Sequence, residues 1–168
     1  MPRLFSLDQN FPEPIVEALE EYLEEDVELV PIRRIHARMS TLDDWEVLLA
    51  LHTDARPWDG LITTDRNMLS LPKELSVLCQ TRLTLVVAVA VGHDPIKATG
   101  LVLAHIAGIC QRTRNDRGQV WRLATSQRDA EDPWRYMEQS AGRRGESADG
   151  LYKRERLSRA QLGRSPLA

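Results

Sequence analysis

Hydrophobic positions follow two different periods along the chain. Short apolar runs typical of strands occupy residues 4–7, 27–32, 61–62, 83–91 and 119–125. Between them, apolar residues recur at helical spacing in 13–25, 43–52, 69–82, 96–109 and 132–141. Regular alternation of strand and helix is typical of a parallel sheet packed against helices. The pattern therefore predicts an α/β fold with a mainly parallel sheet.

Three stretches refine this prediction. Pro31 near the end of the 27–32 run indicates an edge strand or a strand end. The continuous β-branched run 83–91 indicates an interior strand covered on both faces. From residue 142 onward, Gly, Arg, Ser and Glu dominate, which is typical of a mobile segment. We therefore predict a domain at 1–140 and a basic, flexible C-terminal tail at 141–168.

Length and composition restrict the class of protein. The 168 residues, 42% of them hydrophobic, suit one globular domain. The longest apolar run is too short to cross a bilayer, and the N-terminus lacks the features of a secretion signal. We therefore expect a cytoplasmic protein without a membrane partner. Walker and dinucleotide-binding glycine motifs are also absent from the sequence.

Charge is distributed unevenly along the chain. Residues 1–110 contain 17 acidic and 9 basic residues, a net −8, whereas 111–168 contain 8 acidic and 13 basic residues, a net +5. The basic segment could bind a polyanion, and a solvated arm would explain it as well.

Acidic residues follow two of the predicted strands. Asp8 comes directly after the first strand and Asp65 after the third, while Asp43 and Asp44 begin the helix between them. Ligands of open α/β sheets bind beyond the carboxyl ends of the strands. Carboxylates gathered there repel each other unless a cation relieves them. The arrangement therefore predicts a site for Mg²⁺ or Mn²⁺, ions that prefer oxygen ligands and can hold a scissile phosphate.

Simpler explanations exist for some of these residues. Acidic residues in a first helical turn are also stabilised by the helix dipole, so Asp43 and Asp44 need not be ligands. His93 and Asp94 lie beyond the 83–91 strand and could join the site, but helix capping is a sufficient role for Asp94.

Three short motifs carry a resemblance to a known family. LDQNFP at 7–12, DDWEVL at 43–48 and ITTDRNM at 62–68 are together similar to the PIN-like nucleases, particularly the small variants related to VapC-type toxins. The similar region covers about the first 110 residues, as expected from domain size. The resemblance implies a PIN-like domain with a three-layer α/β/α sandwich, metal-dependent ribonuclease activity and, often, a cognate antitoxin.

The resemblance also implies roles for individual residues. Asp8, Asp44 and Asp65 match the catalytic, metal-binding acids, with Asp43 as a close competitor of Asp44. The residues expected to contact substrate are Asn10, Arg66, Asn67, Arg34 and Arg38. The chain departs from the family pattern at Gln9, where many relatives carry an acid, and at Asn67, which replaces a second carboxylate.

These observations lead to a main hypothesis and two alternatives. The main one is an endoribonuclease that uses Mg²⁺ or Mn²⁺ to hydrolyse RNA phosphodiesters, as the toxin of a toxin–antitoxin pair; a homodimer is compatible with it. The first alternative is a weak or inactive PIN-like module that binds protein or RNA. The second is a phosphoryl-transfer or receiver-like domain with Asp8 or Asp65 as nucleophile.

Overall fold

Five parallel strands form one sheet in the computed structural model, which describes residues 2–11, 13–23, 27–89, 94–124 and 129–168, apart from the side chains of residues 13 and 15. The strands are β1 (Arg3–Leu7), β2 (Val27–Pro31), β3 (Gly60–Thr63), β4 (Thr84–Ala88) and β5 (Gln119–Leu123). Their order is β2-β1-β3-β4-β5, and every neighbouring pair is parallel. The predicted parallel sheet is confirmed, and β2 with Pro31 lies at its edge.

Helices follow each strand. They are α1 (Glu13–Tyr22), α2 (Ile32–Ile35), α3 (Asp44–Thr53), α4 (Pro72–Gln80), α5 (Pro95–Arg112), α6 (Pro133–Arg144), α7 (Ala148–Glu155) and α8 (Arg159–Leu162). Two 3₁₀ turns, Ala37–Thr41 and Arg66–Leu69, lie in connections. Proline begins α4, α5 and α6, at a position where its missing N–H costs nothing.

The sheet separates two hydrophobic clusters. Along β4, Leu85 and Val87 pack in the cluster that contains α3, α4, α6 and α7. Val86 and Ala88 point to the other face and pack in the cluster that contains α1 and α5. Alternation along the strand thus buries both faces, as the apolar run 83–91 predicted. The three-layer α/β/α arrangement is confirmed.

The C-terminal segment differs from the predicted tail. Helix α6 crosses the predicted boundary at 140 and ends at Gly145, whose φ of 67° is readily adopted by glycine. The chain then turns back, and Leu151 and Leu157 enter the hydrophobic core. The Gln80 side chain holds this segment by accepting from the Leu157 N–H and donating to its carbonyl, each at 2.9 Å. Residues 141–162 therefore form helices packed on the domain, because a few leucines in a polar sequence reach the core.

Candidate acidic site at the carboxyl edge of the sheet

The two adjacent strands β1 and β3 bring their carboxyl ends together. Leu7 pairs with Ile62, and the Asp8 N–H continues this pairing by donating to the Ile62 carbonyl at 2.9 Å. The strand order reverses direction between β1 and β3, and such a switch point is where open α/β sheets bind ligands. Asp8 therefore lies at the edge that the sequence predicted.

Hydrogen bonds fix the Asp8 carboxylate in this position. Oδ2 accepts from the Thr63 hydroxyl at 2.7 Å, and Oδ1 accepts from the Gln9 N–H at 2.7 Å. The Thr63 hydroxyl in turn accepts from the Asp65 N–H at 3.0 Å. Thr63 thus joins the two aspartates, a role that the sequence analysis missed although two threonines precede Asp65.

The other acids lie at the starts of helical segments. Asp65 caps the 3₁₀ turn Arg66–Leu69, since its Oδ1 accepts from the Asn67 N–H at 2.9 Å. Asp43 is the N-cap of α3, and its N–H donates to Glu46 Oε2 at 2.9 Å. Asp44 is the first residue of α3 and is half-buried. Asp43 is thus tied into the helix start, whereas Asp44 stands next to it on the first turn.

The pKa values of Asp8 and Asp44 are raised by burial and by neighbouring carboxylates. Burial raises the pKa of Asp8, hydrogen bonds from Thr63 and Gln9 oppose this, and the charge of Asp65 raises it further. Burial, followed by the charges of Asp8 and Asp65, raises the pKa of Asp44; Asp43 has a smaller effect in the same direction. Among the described residues, no ion pair neutralises any of these four carboxylates. The site is therefore an uncompensated negative region.

Glu74 is a fifth acid that the sequence analysis did not single out. It lies in the first turn of α4 and is only 7% exposed. Burial raises its pKa, hydrogen bonds from its own and the Trp45 backbone N–H oppose this, and the charges of Asp44 and then Asp43 raise it. The signal in the sequence was a glutamate on the apolar face of a helix, three and four residues before the buried Val77 and Leu78.

The acids are close enough to interact but are not gathered around one point. In the part of the chain that the structure describes, no three Asp, Glu, His or Cys side chains form a group able to hold a metal ion together. Mg²⁺ commonly keeps several waters and takes one or two carboxylates with substrate phosphate, so a looser acidic site still suits it. The donors are all oxygens, which is the chemistry that Mg²⁺ and Mn²⁺ prefer.

The residues predicted to contact substrate fall into two groups. Asn10 is exposed two residues after Asp8, and Arg66 and Asn67 line a cavity of about 420 Å³ directly after Asp65. Arg34 instead contacts α1, where it lies 3.5 Å from Glu17 and 3.4 Å from Glu20. The exposed Arg38 lies in the neighbouring 3₁₀ turn.

Two further candidate residues follow the 83–91 run. The Asp94 side chain accepts from the Ile96 and Lys97 N–H groups at 3.0 and 3.2 Å, so the predicted helix cap is confirmed. His93 lies outside the described residues.

None of the helices in the described ranges combines the length and apolar character needed to cross a bilayer.

Comparison with known proteins does not identify a family for this chain. No protein-family model matches the chain, and neither the curated proteins nor the solved structures yielded a match to it.

Proposed function

We propose that this chain is a metal-dependent endoribonuclease that hydrolyses RNA phosphodiesters. The observation that supports the proposal is the group of acids at the carboxyl edge of the sheet. Burial and the charge of Asp65 raise the pKa of Asp8, burial and the charges of Asp8 and Asp65 raise the pKa of Asp44, and no ion pair among the described residues neutralises these carboxylates. A site of this kind favours binding of a divalent cation, which removes the repulsion. The motifs that resemble the PIN-like nucleases contain the same three residues.

The residues have distinct roles in this proposal. One or two of the carboxylates of Asp8, Asp44 and Asp65, with Asp43 nearby, would hold Mg²⁺ or Mn²⁺ directly, and the others would bind it through water. The bound ion supplies polarisation of the phosphate and a lowered pKa of a bound water. Thr63 positions Asp8, because its hydroxyl is hydrogen bonded to one aspartate and to the backbone of the next. Glu74 is buried and adds a further acidic group near Asp44, since burial and the charges of Asp44 and Asp43 raise its pKa.

The resemblance extends the proposal to partners. A toxin of this type acts on RNA and is restrained by a cognate antitoxin protein, and a homodimer is compatible with the arrangement. The antitoxin and the homodimer rest on the motifs alone.

A noncatalytic binding module is the second candidate. It is favoured by Gln9 and Asn67, which stand where the similar family carries acids, and by the lack of a three-residue metal group among the described residues. Such a module would bind RNA or protein without cutting RNA. Removing residues 142–168 does not test it cleanly, because the truncation also removes Leu151 and Leu157 from the core.

The decisive experiment compares Asp8→Asn with Asp94→Asn. Both changes remove one carboxylate charge, but Asp94 only caps α5, and asparagine caps equally well. We expect Mn²⁺-dependent cleavage of single-stranded RNA by the unchanged protein, a loss of at least about 100-fold in Asp8→Asn, and none in Asp94→Asn. Mn²⁺ binding, followed by electron paramagnetic resonance, should weaken in Asp8→Asn alone.

Two results would contradict the proposal. Cleavage that persists in Asp8→Asn would show that the RNA is cut by something other than this site. A protein that binds neither Mn²⁺ nor cleaves RNA, yet still binds RNA, would favour the binding module.

A further inference from the structure

A second feature of the carboxyl edge is a basic cavity, which we call the arginine hollow. Its volume is about 420 Å³, within the range of pockets that hold small ligands. Three arginines line it, from the 3₁₀ turn after β3, from β5 and from the last turn of α6: Arg66, Arg122 and Arg143. The other lining residues in the described ranges are uncharged: Asn67, Leu69, Ser70, Val89, Tyr136 and Gln139.

No acidic side chain of the described residues forms an ion pair with the arginines of the hollow; Glu131 approaches Arg122 only through the Tyr136 hydroxyl, which donates to Glu131 Oε1 at 2.8 Å. Three like charges that face one cavity repel one another, and a bound anion would remove that repulsion. Guanidinium groups also match the geometry of phosphate oxygens, with which they form paired hydrogen bonds.

A second arginine-rich cavity of the protein shows the contrast. That cavity, near the start of β5, is lined by Arg112, Arg114 and Arg117, but also by acids: Asp129, Glu131 and Asp132. Arg112 pairs with Asp129 at 2.6 Å, and Arg114 pairs with Asp116 at 3.0 Å. The chain therefore neutralises one arginine cluster with its own acids and leaves the arginine hollow positive.

The position of Arg122 is unusual for a structural residue. It is the exposed member of β5, whose other residues are buried, and it faces the hydroxyl of Tyr136. A single charged residue on an edge strand can serve to prevent pairing with another sheet. That role does not explain why arginines from two other elements line the same cavity.

The hollow adjoins the acidic site through the chain itself. Arg66 directly follows Asp65, and the Asp65 side chain is hydrogen bonded to the N–H of Asn67, which lines the hollow. One short 3₁₀ turn thus contributes three residues to the positive cavity, Arg66, Asn67 and Leu69, and its cap is an acid of the candidate metal site. A strand of nucleic acid that places one phosphate at the acids can place another in the hollow.

We infer that the arginine hollow binds a backbone phosphate of single-stranded RNA next to the phosphodiester at the acidic site. The identity of the nucleic acid rests on the proposed function, whereas the anion site rests on the cavity and its three arginines. Asn67 and Gln139 offer neutral donors to the same phosphate or its ribose. The RNA thereby gains a contact that does not depend on metal.

The test measures binding without catalysis, in EDTA, by fluorescence anisotropy of a labelled single-stranded RNA. The variants are Arg122→Gln and Arg143→Gln, with Arg144→Gln as the matched control. Arg144 lies in the same last turn of α6 but does not line the hollow. We expect each hollow variant to bind RNA about tenfold more weakly at low salt, since a charge-assisted contact is lost. The slope of log affinity against log salt should fall by about 0.7 per arginine removed, and Arg144→Gln should change neither quantity.

The outcomes separate this inference from the proposed function. Equal effects of Arg143→Gln and Arg144→Gln, or no effect of either hollow variant in a protein that melts normally, would overturn the inference. If inorganic phosphate binds through Arg122 and Arg143 but the RNA affinity is unchanged in both variants, the assignment of the hollow to an RNA backbone phosphate is wrong. Arginine-dependent RNA binding in a protein that never cleaves RNA would support the hollow and reject the nuclease.

Discussion

Aspartates lie at both ends of the β1–β3 strand pair, but only the aspartate at the amino end, Asp59, forms an ion pair among the described residues. At the amino end, Asp59 precedes β3, pairs with Arg3 at 2.8 Å and accepts from the Leu4 N–H at 2.7 Å. Arg3 also donates to the Thr113 carbonyl at 2.9 Å and to the side chain of Asn115. At the carboxyl end, Asp8 follows β1 and has hydrogen bonds but no cationic partner among the described residues.

The contrast separates a structural carboxylate from a functional candidate. Asp59 is neutralised by an arginine that is itself fixed, so its charge fastens β1 to β3. Asp8 has no such partner, and burial and the charge of Asp65 raise the pKa of its carboxyl group. Asp44 and Glu74 are further acidic groups of the same region. Buried carboxylates with neighbours of like charge and no cation destabilise a fold, and they persist where a ligand requires them.

The largest expected effect comes from disturbing the amino end at Gly60. A Cβ at this position would lie 1.8 Å from the Thr84 carbonyl oxygen, so β3 and β4 could not keep their spacing. We expect Gly60→Ala to lower the free energy of unfolding by about 3 kcal/mol or more. Gly100→Ala is the control, because nothing lies within 4 Å of its added Cβ and alanine favours a helix interior by about 0.5–1 kcal/mol. Urea denaturation measures both, and equal stability of the two variants would contradict the expectation.

The next comparison is direct, between Asp59→Asn and Asp8→Asn. The first change should lower the free energy of unfolding by about 1.5–3 kcal/mol, because it leaves a partly buried Arg3 without its charged partner. The second should leave the melting temperature unchanged or raise it, because the amide can still accept from Gln9 and donate to Thr63 while the buried charge disappears. Thermal melts at neutral pH and a low concentration of divalent ions compare the two variants with the unchanged protein. A large loss of stability in Asp8→Asn would show that the Asp8 carboxylate is structural.

The acidic site should also give stability a characteristic pH dependence. The pKa values of Asp8, Asp44 and Glu74 are raised above 3.8, 3.8 and 4.5, so the folded state binds more protons than the unfolded state above about pH 4. The contribution of these groups to stability therefore increases as the pH falls from neutral toward about 4. The gain in melting temperature of Asp8→Asn over the unchanged protein should accordingly shrink between pH 7 and pH 4. A gain that grows over this range would mean that Asp8 is stabilised as the anion.

The smallest effect is expected at Arg34. The pairs that Arg34 forms with Glu17 and Glu20 of α1 are exposed and long, and pairs of this kind contribute little to stability. Loss of these two pairs in Arg34→Gln should change the free energy of unfolding by less than about 0.5 kcal/mol. In the EDTA binding assay its effect should be smaller than that of Arg143→Gln. A larger effect on RNA affinity would extend the substrate path to α2.

The amino-acid sequence by itself determined the five strands, five of the helices (α1, α3, α4, α5 and α6), the parallel sheet and the placing of Asp8 and Asp65 after strand ends; α2, α7 and α8 were not predicted. These features depend on the local alternation of polar and apolar residues and on which residues directly follow each strand. Both can be read from the sequence. Pro31, which cannot donate to a ladder, indicated an edge strand or a strand end, and β2 is an edge strand that ends at Pro31.

Only the tertiary structure decided which distant residues share a surface. The strand order β2-β1-β3-β4-β5 joined Asp8 to Thr63, and the packing of α3 and α4 brought Glu74 beside Asp44. The arginine hollow combines three elements that are far apart in sequence, and the predicted tail packs on α4 through Leu157 and Gln80. Periodicity specifies which face of each element is buried, but the pairing of faces depends on long-range packing, which no local pattern encodes.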